Sequence, residues 1–245
     1  MLKDNITRAF NLLSSDYEKH VDKQSGHNAY YERPAMINLM PTDMRQMNIL
    51  DAGCAAGWYT EHFIHQGAQV SAIDISPDMT EACRRRIGNR ATIIQGDLSE
   101  TLPFSDRTFD LIVSSLTLHY LEDWASTFRE FHRIMKPGAG LIFSVHHPFM
   151  DYTHFSRPDY FARELLTEVW NKPEAGAVEV SFYRRSMQDI VNATSECFVL
   201  ESIVEPQPVR GDMNDLDYSR WHAKWFDKLA TTPHFLIVKA RKADE

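Results

Sequence analysis

Three aspartates in this chain stand where a short apolar run gives way to a polar or small-residue turn. They are Asp51 in Asn48-Ile-Leu-Asp-Ala-Gly-Cys-Ala-Ala-Gly57, Asp74 closing Gln69-Val-Ser-Ala-Ile-Asp74, and Asp97 in Gly96-Asp97-Leu98. A carboxylate so placed accepts hydrogen bonds and suits a ligand with a positive group, whereas it repels a pyrophosphate. Two histidines, His119 and His147, follow later apolar runs, and imidazole is the side chain best matched to proton removal at neutral pH. The chemistry on offer is hydrogen bonding to a polar ligand, with two candidate bases beside it.

The glycines narrow the ligand. The dinucleotide fingerprint G-x-G-x-x-G needs glycine where this chain has Gly53, Ala55 and Trp58, so two of the three positions fail. The phosphate-loop pattern G-x-x-x-x-G-K-[ST] occurs nowhere, which argues against a nucleoside triphosphate. Taken alone, residues 48–57 also read as an ordinary strand-to-helix turn. Asp74 tips that balance, because it lies 21 positions after Gly53, where a carboxylate can hold two ribose hydroxyls in nucleoside-binding α/β folds.

The elements that position these groups follow from periodicity and punctuation. Strands are expected to end at Leu50 and Asp74, then to span Ala91–Gln95, Phe109–Val113 and Gly140–Val145, with returning strands at Phe198–Val204 and Thr232–Ala240. Ser76-Pro-Asp-Met79 reads as a helix start, with Ser76 as N-cap and Pro77 in the first turn, and Gly88 ends that helix. Asp123 caps a second helix whose Trp124, Phe128, Phe131 and Met135 share a face. Strands alternating with helices predict an open α/β sheet, mostly parallel, with helices on both faces. Ligands of such sheets lie beyond the carboxyl ends of the strands, where all three aspartates fall.

These motifs resemble the class I S-adenosylmethionine-dependent methyltransferases, in particular the subgroup similar to ubiquinone and menaquinone biosynthesis methyltransferases (type 11). The likeness is strongest over residues 45–146 and returns at Thr232-Pro-His-Phe-Leu-Ile-Val-Lys-Ala240. It implies a Rossmann-like, doubly wound, seven-stranded sheet with an antiparallel final strand and helical or aromatic cap insertions. It also implies S-adenosylmethionine as cofactor and S-adenosylhomocysteine as product. The family's acid-x-Gly-x-Gly-x-Gly motif is carried by Asp51, Gly53 and Gly57, with Cys54 in the same loop; its middle glycine is Ala55, a change that a negative φ there would accommodate. By the same resemblance Asp74 binds the ribose, Ile75 and Met79 line the adenine, and Asp97 accepts from the adenine amino group. Gly96 and Leu98 complete that wall, and Ser114 lies next to the cofactor at the end of strand four.

Composition restricts the partners. A formal charge of −8 over 245 residues disfavours bulk nucleic-acid binding, and Arg84-Arg-Arg86 is explained by a helix C-terminus, where cations offset the helix dipole. No apolar stretch approaches the roughly 20 residues of a membrane span, and no signal-peptide pattern opens the chain. Cys54, Cys83 and Cys197 lack metal or redox spacing, so a reduced cytoplasmic setting is expected. No metal is expected either. His146 and His147, as strand neighbours, point to opposite faces, and His62 with His65 has no third ligand. The sequence carries no signature of a particular oligomeric state.

The expected organisation is one domain over 1–245. It comprises an N-terminal helical lid (1–44), a cofactor-binding core (45–146) and two substrate-cap excursions (147–177 and 205–231). Ile6, Phe10, Leu13 and Tyr17 recur at helical spacing in the lid, and Tyr30 or Tyr31 either covers the ligand or simply packs. The excursions are rich in aromatic residues, among them Phe149, Phe155, Trp170, Trp221 and Trp225, and suit a flat or greasy small-molecule acceptor at oxygen, carbon or nitrogen. His119 and His147 are each read as a general base or as a structural histidine. The rival functions are a non-catalytic protein that binds the same cofactor or its product, and an RNA-modifying methyltransferase.

Overall fold

The computed structural model describes residues 2–21 and 25–244. Its strands are β1 (Asn48–Ala52), β2 (Gln69–Asp74), β3 (Thr92–Gln95), β4 (Phe109–Ser115), β5 (Met135–His146), β6 (Glu164–Lys172), β7 (Gly176–Arg184), β8 (Val199–Val204) and β9 (Phe235–Arg241). Seven of them form one sheet in the order β3-β2-β1-β4-β5-β9-β8, and β6 and β7 form a separate antiparallel hairpin. The first five are parallel, and β9 runs antiparallel between β5 and β8. This is the doubly wound sheet expected from the sequence.

Strands buried on both faces need apolar residues at every position, and alternation decides which face each one serves. Leu50, Ile112 and Phe143 pack with Phe128 and Phe131 of α5 (Ala125–Ile134) on one face. Ile49, Leu111 and Val113 pack with Phe63 of α3 (Trp58–His65) and Met36 of α2 (Arg33–Leu39) on the other. Ser76 caps α4 (Pro77–Ile87) by accepting from Met79 N at 3.0 Å. Asp123 accepts from Ala125 N and Ser126 N at the start of α5. The chain is already extended at Met135, expected on the helix, and at Lys136, where the following Pro137 disfavours helical backbone.

The hairpin departs from expectation. Its first strand, β6, lies within residues 147–177, expected to be a substrate-cap excursion. Only alternate residues of β6 face inward, and these include Glu168 as well as Leu166, so its apolar signal is weak.

α1 (Leu2–Asp16) packs between the hairpin and α4. Its Ile6, Ala9 and Leu13 pack against Leu166, Val178, Val180 and Phe182. Asp16 at its end is fully buried and accepts from the backbone N–H groups of Glu174 (3.0 Å) and Ala175 (2.9 Å) in the hairpin turn. Tyr30 and Tyr31 take the packing role: Tyr31 OH accepts from His234 N, and Tyr30 packs on Tyr218 and Trp221.

Glu32 ties this N-terminal region to the sheet. It is fully buried, and its carboxylate accepts from Tyr59 OH (3.0 Å), Ser115 Oγ (2.8 Å) and Ser144 Oγ (2.6 Å). Burial pushes its carboxyl above the ordinary range, and the three hydroxyl donors pull it partly back. Glu32→Ala would strand three hydroxyls without an acceptor. We expect a loss on the order of 3 kcal/mol in urea unfolding, and a smaller loss for Glu32→Gln, which keeps one oxygen acceptor.

Candidate functional site

A cavity of about 1040 Å³ opens beyond the carboxyl ends of β1, β2, β4 and β5. Its floor is the loop after β1. Gly53 has φ +87°, and a Cβ built there would lie 2.2 Å from Thr117 Oγ1, so only bare backbone fits beside the turn after β4. Ala55 has φ +45°, which corrects the expectation of a negative angle. The reason lies in β2: with this turn, Ala55 N donates to Asp74 Oδ2 at 2.9 Å. Asp74 Oδ1 accepts from Ser76 N at 2.9 Å, so one carboxylate orders the loop and the start of α4. Burial pushes Asp74 up to about 6 despite these donors, and pushes Asp51 up to about 7 although Thr60 Oγ1 donates to it at 2.6 Å.

Most of the residues named from the sequence converge here. Asp51, Gly53, Cys54, Ala55, Asp74, Ile75, Gly96, Asp97, Leu98 and His119 all line the cavity. Three do not. Met79 is buried under α1 with Ile6, Ala9 and Leu13. Ser114 points into the sheet and donates to Ala52 O at 2.8 Å, leaving its neighbour Ser115 at the cavity. His147 caps α6 (Pro148–His154): its Nδ1 accepts from Phe149 N, and its Nε2 bonds Glu205 at 2.8 Å. Both its nitrogens are engaged away from the cavity, and the strand neighbour His146 lines it instead. Asp97 is at the wall but is also ion-paired with Lys3 of α1 at 2.6 Å. Burial would raise its carboxyl, but Lys3 and the Ser99 donors hold it below the ordinary range.

Other lining residues gave no sequence signal of their own. Arg33 is buried, and its guanidinium lies 4.0 Å from the centre of the Trp58 ring. It sits in the segment Tyr30-Tyr-Glu-Arg33, which was read for its tyrosines. At the opposite end the cavity is walled by Phe155, Trp170, Phe182 and Trp225, with His27, His119, His146 and His234 among them. Burial lowers His27 to about 4 and His234 to about 3, and takes His119 well below its usual value, so these three rings are neutral at pH 7. Among the described residues, no three His, Cys, Asp or Glu side chains are grouped to hold a metal ion.

Comparison with known proteins agrees with this arrangement. A family model described as a methyltransferase domain matches residues 50–143. A malonyl-[acyl-carrier protein] O-methyltransferase of Erwinia billingiae is 30% identical over 143 residues, covering 58% of this chain and 54% of that protein. The chain thus spans about half the length of such curated relatives. An S-adenosylmethionine dependent methyltransferase structure from Mesorhizobium loti superposes with TM-score 0.65 at 26% identity, covering 86% of this chain and 97% of that one. The Burkholderia thailandensis 1,6-didemethyltoxoflavin-N1-methyltransferase, solved with 1,6-didemethyltoxoflavin and S-adenosylhomocysteine, shares the fold with TM-score 0.62 at 17% identity, covering 98% and 88%.

Ala55 gives a test of the loop. A left-handed alanine costs about 1–2 kcal/mol, of which the looser unfolded chain of a glycine returns part. Ala55→Gly should therefore stabilise the protein by about 0.5–1 kcal/mol in urea unfolding. With the loop built on Gly53 and Asp74, the sheet order and the matched residues 50–143 all in agreement, the chain has the fold of the class I S-adenosylmethionine-dependent methyltransferases, and its core matches a methyltransferase domain.

Proposed function

We propose that the chain transfers a methyl group from S-adenosylmethionine to a small-molecule acceptor. The observation that carries this reading is one continuous cavity with two chemically different ends. Ligand pockets commonly measure about 300–1,000 Å³, so a space of about 1040 Å³ accommodates a nucleoside cofactor and an acceptor together.

The lining fits the cofactor. Gly53 brings bare backbone to the cavity wall, packed against Thr117, and Asp74 presents a carboxylate already oriented by two amides. In this reading Asp74 holds the ribose hydroxyls, Ile75 and Leu98 flank the adenine, and Asp97 receives its amino group once Lys3 shares or yields the carboxylate. Arg33, a buried cation on the wall, holds the methionine carboxylate. When bound, the cofactor supplies a methyl group already activated on a sulfonium. The protein's tasks are then to align the acceptor in line with the S–CH3 bond and to exclude water. Phe10 and Tyr17 of the N-terminal segment line the cavity and serve the second task, the lid function expected of residues 1–44. The segments 147–177 and 205–231 supply the aromatic acceptor wall, as expected for substrate caps. The relatives named for malonyl-[acyl-carrier protein] and for 1,6-didemethyltoxoflavin support an acceptor that is a small molecule or is borne on a carrier. Three cysteines without a disulfide support a reduced, cytoplasmic setting, and no helix among the described residues is long and apolar enough to cross a membrane.

Calorimetry with S-adenosylhomocysteine tests the site. Asp74→Ala should weaken binding by about 1.5–3 kcal/mol, roughly 10- to 150-fold, through lost charge-assisted hydrogen bonds; unchanged affinity would sink the assignment. The hydroxyls bind the ionised carboxylate, and the empty site titrates at about 6. Affinity should accordingly fall as the pH drops through about 6 and level off above it. Asp74→Asn should flatten that dependence.

A further inference from the structure

Three buried polar groups at the acceptor end lack hydrogen-bond partners. Both ring nitrogens of His119, Nδ1 of His146 and Oδ1 of Asp151 are all sealed from water without a bond. Buried polar atoms are nearly always satisfied, so an adjacent group of orphans marks a place built for something else. His119 lies in the turn after β4 and His146 at the end of β5, and their rings stack at 4.2 Å with 21° between planes. Asp151 projects from the first turn of α6, and its Oδ1 lies 3.4 Å from His146 Nδ1. Since Nδ1 is the buried nitrogen, facing Asp151, Nε2 is left on the cavity side.

We propose that His146, positioned by Asp151, is the general base for methylation of an acceptor hydroxyl on a flat, phenol-like ring. The inference deepens the methyltransferase reading and rests on it. A carboxylate behind an imidazole fixes the tautomer with hydrogen on the near nitrogen and stabilises the imidazolium formed when the far nitrogen takes a proton. His146 then offers a lone pair to the cavity. A lone pair needs a donor, which a hydroxyl supplies and an ionised carboxylate does not. Asp151 is only 2% exposed, and its nearest partner of opposite charge is His146 when protonated. His119 stays neutral beside it, its ring stacked on that of His146. His234, which precedes β9, is the other titratable ring near His146, and Phe182 of β7 meets the His146 ring edge-on at 4.6 Å. The aromatic walls dictate the flat shape.

The step balances. The hydroxyl proton passes to His146 Nε2 as the oxygen lone pair forms the bond to the methyl carbon. The carbon–sulfur bond breaks with its electron pair going to sulfur, which becomes a neutral thioether. The imidazolium later releases its proton to water.

Three acceptors of similar size, 4-methylphenol (which keeps its proton at neutral pH), benzoate and benzylamine, test the proposal in separate incubations with S-adenosylmethionine, with S-adenosylhomocysteine and methylated product quantified. Methylation of the phenol alone is expected. His146→Gln should lower kcat on it by 100-fold or more while S-adenosylhomocysteine affinity stays within twofold. Asp151→Asn should slow it and displace the acid limb of the pH–rate profile, a change that simple loss of packing does not produce. Nitrogen-detected magnetic resonance of the S-adenosylhomocysteine complex should find His146 with its proton on Nδ1. Preferred methylation of benzoate or benzylamine, no turnover of the phenol, full activity of His146→Gln, or a proton on Nε2 each overturns the proposal. Failure of S-adenosylhomocysteine to bind at all instead overturns the methyltransferase reading.

Discussion

A parallel sheet leaves the carboxyl ends of its strands as a row of backbone groups with no strand beyond them, and whatever orders the loops at that edge orders the site. Here the Asp74 carboxylate does so. It takes the Ala55 N–H on one oxygen and the Ser76 N–H on the other, joining the loop after β1 to the start of α4. The order propagates through Ser76, whose hydroxyl caps α4 and donates to Asn11 of α1 at 2.6 Å. The roof of the cavity is therefore attached to its floor through two side chains. Ala55 bears the conformational cost, since its N–H reaches Asp74 from a backbone angle that alanine disfavours. A carboxylate this enclosed also resists ionisation, which links the geometry of the loop to proton binding.

The parts of the molecule that local patterns specify were legible in the sequence. Strand ends, the Ser76 cap and the Asp51, Asp74 and Asp97 positions each depend on a few neighbouring residues, and all were placed without tertiary information. Ser114 and His147 miss the cavity for one physical reason, and Met79 for another, its side chain being buried under α1. Along a strand, side chains alternate between faces, so an error of one residue exchanges inside for outside. Ser114 and His147 each lie one residue from a neighbour, Ser115 and His146, that lines the cavity. In a strand buried on both faces, hydrophobicity cannot reveal which parity points to a site. Lys3 and Arg33 were invisible for a different reason: each reaches the cavity from a helix whose docking angle is set by distant contacts.

The two ends of the cavity differ in how they treat charge. Around Asp51, Asp74 and Asp97, acidic groups sit among backbone and hydroxyl donors. At the other end, burial keeps His27, His119 and His234 uncharged at neutral pH, although Glu168, Lys172 and Lys228 also line the aromatic walls. A cationic sulfonium and an uncharged ring would thus each meet surroundings suited to it, within one enclosure.

Asp16 carries a consequence for how the chain reaches this state. Its two hydrogen bonds span 158 and 159 residues, from the end of the first helix to the turn of the hairpin. On a ribosome the first helix emerges long before that turn exists, with the apolar stripe of Ile6, Ala9 and Leu13 uncovered for most of synthesis. Contacts of such separation slow folding, because a long loop must close before any of them form. The central strands can pair while the roof still waits for its hairpin, so the binding cavity is expected to be among the last parts of the molecule to assemble.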